Sequence, residues 1–273
     1  MAGIEAPGKG VTAGTIALRN CTELEDFRAC VALQKEVWGF ADNELVPLRI
    51  FSLAPKIGGQ VIGAWEGQAL VGFAFSIPGT RSGHPYLHSH MLAVREGYRN
   101  TGLGRRIKLF QREDAVTHGF ELMEWTFDPL EIKNSYFNLE RLGAIARRYN
   151  INQYGITSSP LQGFLPTDRL VAEWWLTSKR VEALLYTGKH PAFVEEARME
   201  IPAEIYTWKQ QPETRQNAAA VQLRNREAFL SAFSLGLACL GYERDAHGNG
   251  AFLLGRWNEK WSYASSSFTD QCQ

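Results

Sequence analysis

The stretch VREGYRNTGLGRRIK, residues 94–108, sets three glycines and four arginines between two segments of different periodicity. Before it, PYLHSHMLAV has the aromatic, alternating character of a strand. After it, Leu103, Ile107 and Phe110 recur at i, i+4 and i+7, the spacing of one helix face. The glycines therefore fall on a strand-to-helix turn. A helix start exposes unpaired N–H groups and a partial positive charge, and glycine lets the backbone approach an anion without a Cβ in the way. Such a turn has the make-up of a phosphate cradle. Spacing excludes two common ones. Gly97 and Gly102 are placed as in a P-loop, but Leu103 stands where its lysine must be. After Gly102 and Gly104, Ile107 takes the third glycine position of a dinucleotide fingerprint.

The chain has 273 residues, 45% of them hydrophobic and 12% aromatic, enough for a sizeable core in one large domain or a domain and a half. Lys+Arg and Asp+Glu balance at 29 each, so no global field draws in nucleic acid or an anionic membrane. Cysteines at 21, 30, 239 and 272 form no C-x-x-C pair and are too sparse for a disulfide framework, which points to a reducing compartment. MAGIEAPGKGVTAG has no apolar signal core, and no run approaches the ~18 apolar residues of a membrane span. A soluble, cytoplasmic protein is expected.

TIALRNC reads as a first strand, and TELEDFRACVALQKEVWG as a helix opened by a capping box from Thr22 to Glu25, with Leu24, Phe27 and Val31 on one face. GGQVIGAW and ALVGFAFSIPG form a hairpin through Glu66-Gly67-Gln68. A strand near 86–94, the glycine loop and a helix to about His118, stopped by Gly119, come next. ELMEWTF is a strand, PLEIKNSYFNLERLGA a helix ending at Gly143, TDRLVAEWWL a strand and TSKRVEALLYTG a helix. Beyond 190, ARMEIPAEI reads as a strand and PETRQNAAAVQLRNREAFLSAFSLG as a long helix. ACLGYERDAHGNGAFLLGRW is a hairpin turning through His247-Gly248-Asn249-Gly250.

Arg99-x-x-Gly102-x-Gly104, directly after a strand ending Leu92-Ala93-Val94, resembles the coenzyme A pyrophosphate loop of the GNAT acyltransferases. The strand–helix–three strands–helix–strand order resembles the core of that family, and Leu142-Gly143-Ala144 is a variant of its L-G-F helix ending. WTFDPL, NSYFNLERLGA and TDRLVAEW look like a longer, mostly uncharacterised branch. The resemblance runs from residue 12 to about 180. It implies an α/β GNAT fold, a mixed and mostly antiparallel sheet flanked by helices, with a C-terminal strand–helix–hairpin extension. The expected divisions are a flexible N-terminus at 1–13, an acyltransferase domain at 14–188, an α/β extension at 189–260 and a flexible tail at 261–273.

The resemblance further implies acetyl-CoA or another acyl-CoA as co-substrate, with its pyrophosphate on the backbone of Asn100, Thr101, Gly102, Leu103, Gly104 and Arg105, and Arg99, Arg105 or Arg106 adding charge. A backbone N–H near Leu92 or Ala93 would serve the oxyanion, and Val94 would pair with the pantetheine amides. In the histone-acetyltransferase branch the base lies eleven residues before the loop's first residue, a count that lands here on His88. Period-two alternation would set His88, His90 and Leu92 on one face. Histidine, with an ordinary pKa of ~6.5, can accept a proton near neutrality. His88 is the first candidate and His90 the second, against the alternative that both are satisfied core residues. Glu124 and Asp128 are alternative bases, or else orient a histidine or cap the following helix. H-x-H lacks a third and fourth ligand at telling spacing, so no metal is expected.

Many family members carry a tyrosine that protonates the departing thiolate, where this chain has Leu139. Tyr136, one turn earlier, is either a substitute acid or a packing residue, and Asn134 and Asn138 are placed to hold the cofactor's thiol end or a water. For the acceptor, Trp38, Phe40 and Arg49, with Asp168, Arg169 and Trp174, either form an apolar pocket with an arginine for a carboxylate or are ordinary core aromatics and surface ion pairs. The expected function is transfer of an acetyl or other acyl group to the amine of a small molecule, as a monomer or homodimer, without nucleic acid or membrane. The alternative is a non-catalytic acyl-CoA sensor or scaffold.

Overall fold

The structure, a computed structural model, describes residues 15–155 and 163–259. The expected flexible ends, with Cys272, lie outside the described residues. In chain order the elements are β1 (Ile16–Asn20), α1 (Leu24–Trp38), α2 (Leu48–Leu53), β2 (Gln60–Glu66), β3 (Ala69–Arg81), β4 (His84–Val94), α3 (Leu103–Thr117), β5 (Leu122–Phe127) and α4 (Ile132–Tyr136), which continues into a π turn over Phe137–Arg141. Then come β6 (Ile145–Asn150), β7 (Arg169–Trp175), α5 (Lys179–Thr187), β8 (Ala197–Ile201), α6 (Ile205–Gln210), α7 (Arg215–Ser234), β9 (Leu237–Arg244) and β10 (Gly250–Arg256). The strands form one sheet in the order β1-β2-β3-β4-β5-β7-β6-β9-β10-β8. Every pairing is antiparallel except β4 with β5.

Helices cover the two faces differently. Phe27, Cys30 and Leu33 of α1 and Phe51 of α2 pack on Phe73, Phe75 and Met91. On the opposite face Leu103 and Ile107 of α3 pack on Ile62, Ala64, Val71 and Ala74. A larger cluster joins Met123, Trp174, Leu139 and Tyr149 to Phe229 of α7 and Phe252 of β10. Through it and the pairing of β6 with β9, the strands after residue 189 extend the sheet.

Several local expectations are corrected. The box that opens α1 runs from Glu23 to Asp26 rather than from Thr22 to Glu25. Asp26 accepts the N–H groups of Thr22 (3.1 Å) and Glu23 (3.4 Å) and is gripped by Arg19 through two 2.7 Å bonds. Its buried carboxylate, already charged and paired, outcompetes exposed Glu25. In consequence Leu24 is exposed, and the buried face is Phe27, Cys30, Leu33 and Gln34. The strand at Ile145–Asn150 has no counterpart in the sequence reading: IARRYN carries two adjacent arginines and a register shift between Ala146 and Tyr149, both of which hide alternation. The glycines at 67, 119, 143 and 236 adopt positive φ at the turn and helix ends expected of them.

Asp168, fully buried before β7, fastens α7 to the core. It accepts from Tyr149 Oη (2.7 Å), Asn152 N (3.0 Å) and both Arg226 Nε (2.8 Å) and Nη2 (3.1 Å). Removing the arginine leaves a buried carboxylate without its counter-charge, a change that costs roughly 3–5 kcal/mol. Urea unfolding of Arg226→Met should show a loss of about that size, and a change under ~1 kcal/mol would show that Arg226 is not needed to hold Asp168.

Candidate active site

The site begins where two strands part. β4 and β5 pair over two positions alone, Leu87 with Met123 and His88 with Glu124. Beyond them β4 follows β3 to Val94, while β5 follows β7 to Phe127. The backbone between 89 and 94 thus faces a wedge-shaped opening instead of a neighbouring strand. A cleft of about 250 Å³ fills the opening, lined by Trp38, Ser89, His90, Met91, Leu92, Lys108, Trp125, Asn134 and Asn138, among others.

The glycine loop lies at the open end of β4. Asn100 and Gly102 take left-handed conformations, φ +63° and +87°, and Gly102 caps α3. The first ladder bond of the helix runs from Arg106 N to Gly102 O (3.1 Å), so the amides of Leu103, Gly104 and Arg105 have no ladder partner. The nearest atoms to a Cβ at Gly104 would be Val94 Cγ2 at 3.8 Å and Leu92 Cδ2 at 3.9 Å, so the surface above this turn is bare backbone. Thr101 Oγ1 donates to Tyr98 O (2.7 Å) and Arg99 Nε to Val94 O (3.1 Å), which ties the loop to the strand end. Arg105 and Arg106 reach instead for the carbonyls of Arg141 (3.1 Å) and Ile16 (2.9 Å).

The expected alternation of His88, His90 and Leu92 fails for a definite reason. Phe75 pairs with Met91 and Ser76 with Ser89, which makes His90 an extra residue, a bulge. Both histidines lie with Phe75 on the α1–α2 face, their rings 6.0 Å apart and the His90 ring 6.0 Å from that of Phe75. Leu92 and Val94 have crossed to the α3 face, against Leu103 and Ile107. Burial, assisted by His90, Arg148, Arg81 and Lys108, pushes the His88 pKa down to about 4, and burial also lowers that of His90. Both are neutral bases at pH 7.

Glu124 is not a free base. Its buried carboxylate is held by Arg148 and by both nitrogens of Arg81, the second at 2.7 Å. Arg148 also reaches Glu173 (3.3 Å), which Arg147 grips. Burial alone would raise the Glu173 carboxyl, but Arg147 and Arg148 outweigh it and hold it below the ordinary value. Three arginines and two glutamates thus form one network beside His88. Asp128 is likewise engaged, by Leu130 N (2.8 Å) and Lys209 Nζ (3.0 Å).

The remaining candidates separate. Asn134 and Asn138 line the cleft, and the π turn carries Asn138 in, its Oδ1 accepting from Trp125 Nε1 (3.2 Å) and its Nδ2 buried without a partner. Tyr136 instead lines a groove with Tyr242 and Arg198, under the Arg244 guanidinium 5.8 Å from its ring. Leu139 is buried in the main cluster. Trp38 reaches the cleft and stacks on Phe40 at 5.7 Å, whereas Arg49 is exposed on α2. Arg169 donates to Asp168 O (2.8 Å) and lies 5.6 Å from the Tyr154 ring, and Trp174 is wholly buried, donating to Leu142 O (2.7 Å). Those six residues therefore do not converge on one pocket.

The sequence reading missed Lys108, Ser89 and Trp125, which form the cleft's inner end. Lys108 is buried on α3, with Nζ at 2.6 Å from Gln111 Oε1, 3.0 Å from Ser89 Oγ and 3.3 Å from Met123 Sδ, and 4.1 Å from the Trp125 ring. The signal was present: counting by four from Leu103 through Ile107 places Gln111 inside the apolar stripe, beside Lys108. Among the described residues no three histidine, cysteine or acidic side chains converge as a metal site, and no helix is long and apolar enough to cross a membrane.

Residues 23–135 match the acetyltransferase (GNAT) family, and the chain carries an acetyltransferase domain of that family. A domain of that family implies acyl transfer from an acyl-CoA. Among solved structures, the chain is similar to the ribosomal-protein-S18-alanine N-acetyltransferase of Escherichia coli (13% identity, TM-score 0.49, covering 60% of this chain and 96% of that one). It is also similar to yncA of Salmonella typhimurium, solved with its cofactor acetyl-CoA (14%, 0.49, 62% and 98%), and to an N-acetyltransferase of Staphylococcus aureus Mu50 (12%, 0.49, 60% and 100%). No curated protein matches the sequence.

Two predictions follow from the site's geometry. Gly104→Ala places a methyl on the bare turn without a clash, so the variant should melt at or above the wild-type temperature, since alanine is favoured over glycine in helices by up to ~1 kcal/mol. Its affinity for coenzyme A should nevertheless fall at least about tenfold in calorimetric titration. At Gly102, by contrast, the left-handed φ makes any substitution strained. Second, the folded protein holds His88 at about 4 against 6.5 unfolded. Its contribution to stability is full above about pH 6.5, declines as pH falls and is gone below about 4. Denaturant midpoints from pH 7 to 4 should therefore fall less steeply for His88→Gln than for wild type.

Proposed function

We propose that the protein is an N-acyltransferase that moves an acetyl or other short acyl group from acyl-CoA to the amine of a small molecule by direct attack. The observation that carries this reading is the parting of β4 and β5 beside a glycine-opened helix start, with neutral histidines on the acceptor side of the same strand. The residues fit the cofactor: the turn at Gly104 is open to backbone approach, and Asn138 holds an unpartnered amide in the cleft. In this reading the amides of Asn100, Thr101, Leu103, Gly104 and Arg105 take the pyrophosphate, the backbone from Leu92 to Val94 takes the pantetheine arm, and the thioester reaches the bulge at His90.

Direct attack forms an N–C bond as the C–S bond breaks. The amine's proton passes to His88, directly or through water, and the sulfur leaves as a thiolate, whose conjugate thiol is acidic enough that no strong acid is needed. Burial, assisted by Arg148 and Arg81, keeps His88 in its neutral form before the amine arrives, with a ring nitrogen free to accept the proton. The acceptor enters on the α1–α2 side, past Trp38. We place the enzyme in the cytoplasm, as a monomer or homodimer, a setting in keeping with the free thiols of Cys21, Cys30 and Cys239.

One observation favours a second reading, a non-catalytic acyl-CoA sensor: Leu139 is buried where the family's tyrosine acid is expected, and Tyr136 faces another groove. A single variant separates the two. His88→Ala should lower turnover at least about a hundredfold in a screen of amine acceptors while acetyl-CoA still raises its melting temperature. Turnover equal to wild type would remove His88 from the mechanism, and absence of turnover in the wild type would favour the sensor.

A further inference from the structure

The inner end of the cleft is rich in donors and poor in acceptors. Lys108 is 2% exposed and, among the described residues, makes no ion pair; its ammonium group meets two neutral oxygens, a thioether and the faces of Trp125 and Trp174. The Asn138 amide nitrogen is buried and unpartnered, because its oxygen is taken by Trp125. Gln111, behind Lys108 and outside the cleft lining, spends its side-chain oxygen on both Lys108 and Ser89. A buried amine without a counter-charge and an orphaned N–H group are destabilising by themselves. An acetyl methyl would leave both cleft-lining groups, Lys108 and Asn138, as they are.

We infer that this end of the cleft receives an acyl group ending in a carboxylate, so that the donor is a short dicarboxylic acyl thioester of coenzyme A and Lys108 with Asn138 sets the choice. The inference rests on the acyltransferase reading, which brings the thioester to His90. From there Ser89 and Lys108 are the next lining groups toward the point where β4 and β5 close. A carboxylate supplies the missing negative charge and about four lone-pair sites, matching an ammonium and neighbouring amide donors. Glu124, on the next position of β5 after Met123, does not supply that charge, because Arg81 and Arg148 hold it.

The test is calorimetric titration of the full chain with coenzyme A, acetyl-CoA, malonyl-CoA and succinyl-CoA, repeated on Lys108→Met. One of the two carboxylated thioesters should bind at least about tenfold more tightly than acetyl-CoA to the wild type. Lys108→Met should abolish that preference, keep its affinity for acetyl-CoA, and melt at or above the wild-type temperature because a buried amine without a counter-charge has gone. Equal affinities in the wild type would overturn the inference, without needing the variant to fold. A preference that persists in Lys108→Met would also overturn it. Failure of every coenzyme A species to bind has a different meaning and would take down the acyltransferase reading itself.

Discussion

Two paired positions, Leu87 with Met123 and His88 with Glu124, are all that join β4 to β5. The rest of the site depends on how little that is. Two parallel strands that stayed in register would satisfy each other's backbone groups and leave nothing for a ligand. Because each strand keeps its other neighbour, the parting does not unravel the sheet: β3 holds β4 as far as Val94, and β7 holds β5 as far as Phe127. Large side chains then take positions around the gap, Trp125 and Lys108 at its inner end and the bulged His90 at its edge. The bulge belongs to the same arrangement, since it sets two histidines on the α1–α2 face while Leu92 goes to the α3 face.

Charge is distributed around this opening with little waste. On the α1–α2 side, the carboxylates of Glu124 and Glu173 are saturated by Arg81, Arg147 and Arg148, while burial, with help from that positive charge, holds His88 neutral. On the α3 side a lysine stands without any carboxylate, and burial holds its amine well below the ordinary value. The sheet separates two environments of the same sign but different origin. One is a network of paired charges around two buried carboxylates, and the other a buried donor set with no carboxylate among its hydrogen-bond partners in the described residues.

Much of this was legible in the sequence, and the limits are physical. The glycine turn was readable because helix starts and left-handed positions restrict residue choice, and Gly102 and Gly104 satisfy both restrictions. Hairpins closed by Gly67-Gln68 and the helix stops at Gly119, Gly143 and Gly236 were readable for the same reason. Two features were not. The strand IARRYN is stabilised by partners distant in sequence, Glu124 and Glu173, so its arginines look like those of a loop. The bulge at His90 leaves no local mark, because it is set by the register with Ser76, and every alternation argument across it fails. Site residues drawn from separate segments met in part: His90, Asn134, Asn138 and Trp38 line the opening and His88 sits at the pairing that closes it, while Asp168 and Trp174 are engaged elsewhere.

The sheet narrows at a second place as well. Strands β6 and β9 share one paired position, Ala146 with Cys239, whereas β9 and β10 are matched along most of their length. Backbone register therefore does not pass from one half of the sheet to the other. What crosses the joint is side-chain chemistry, the Asp168–Arg226 pair and the packing of Phe229 on Tyr149. The strand alignment that parts β4 from β5 is thus laid out without a continuous backbone ladder to the last three strands, and the two stretches of sheet are spliced by side chains.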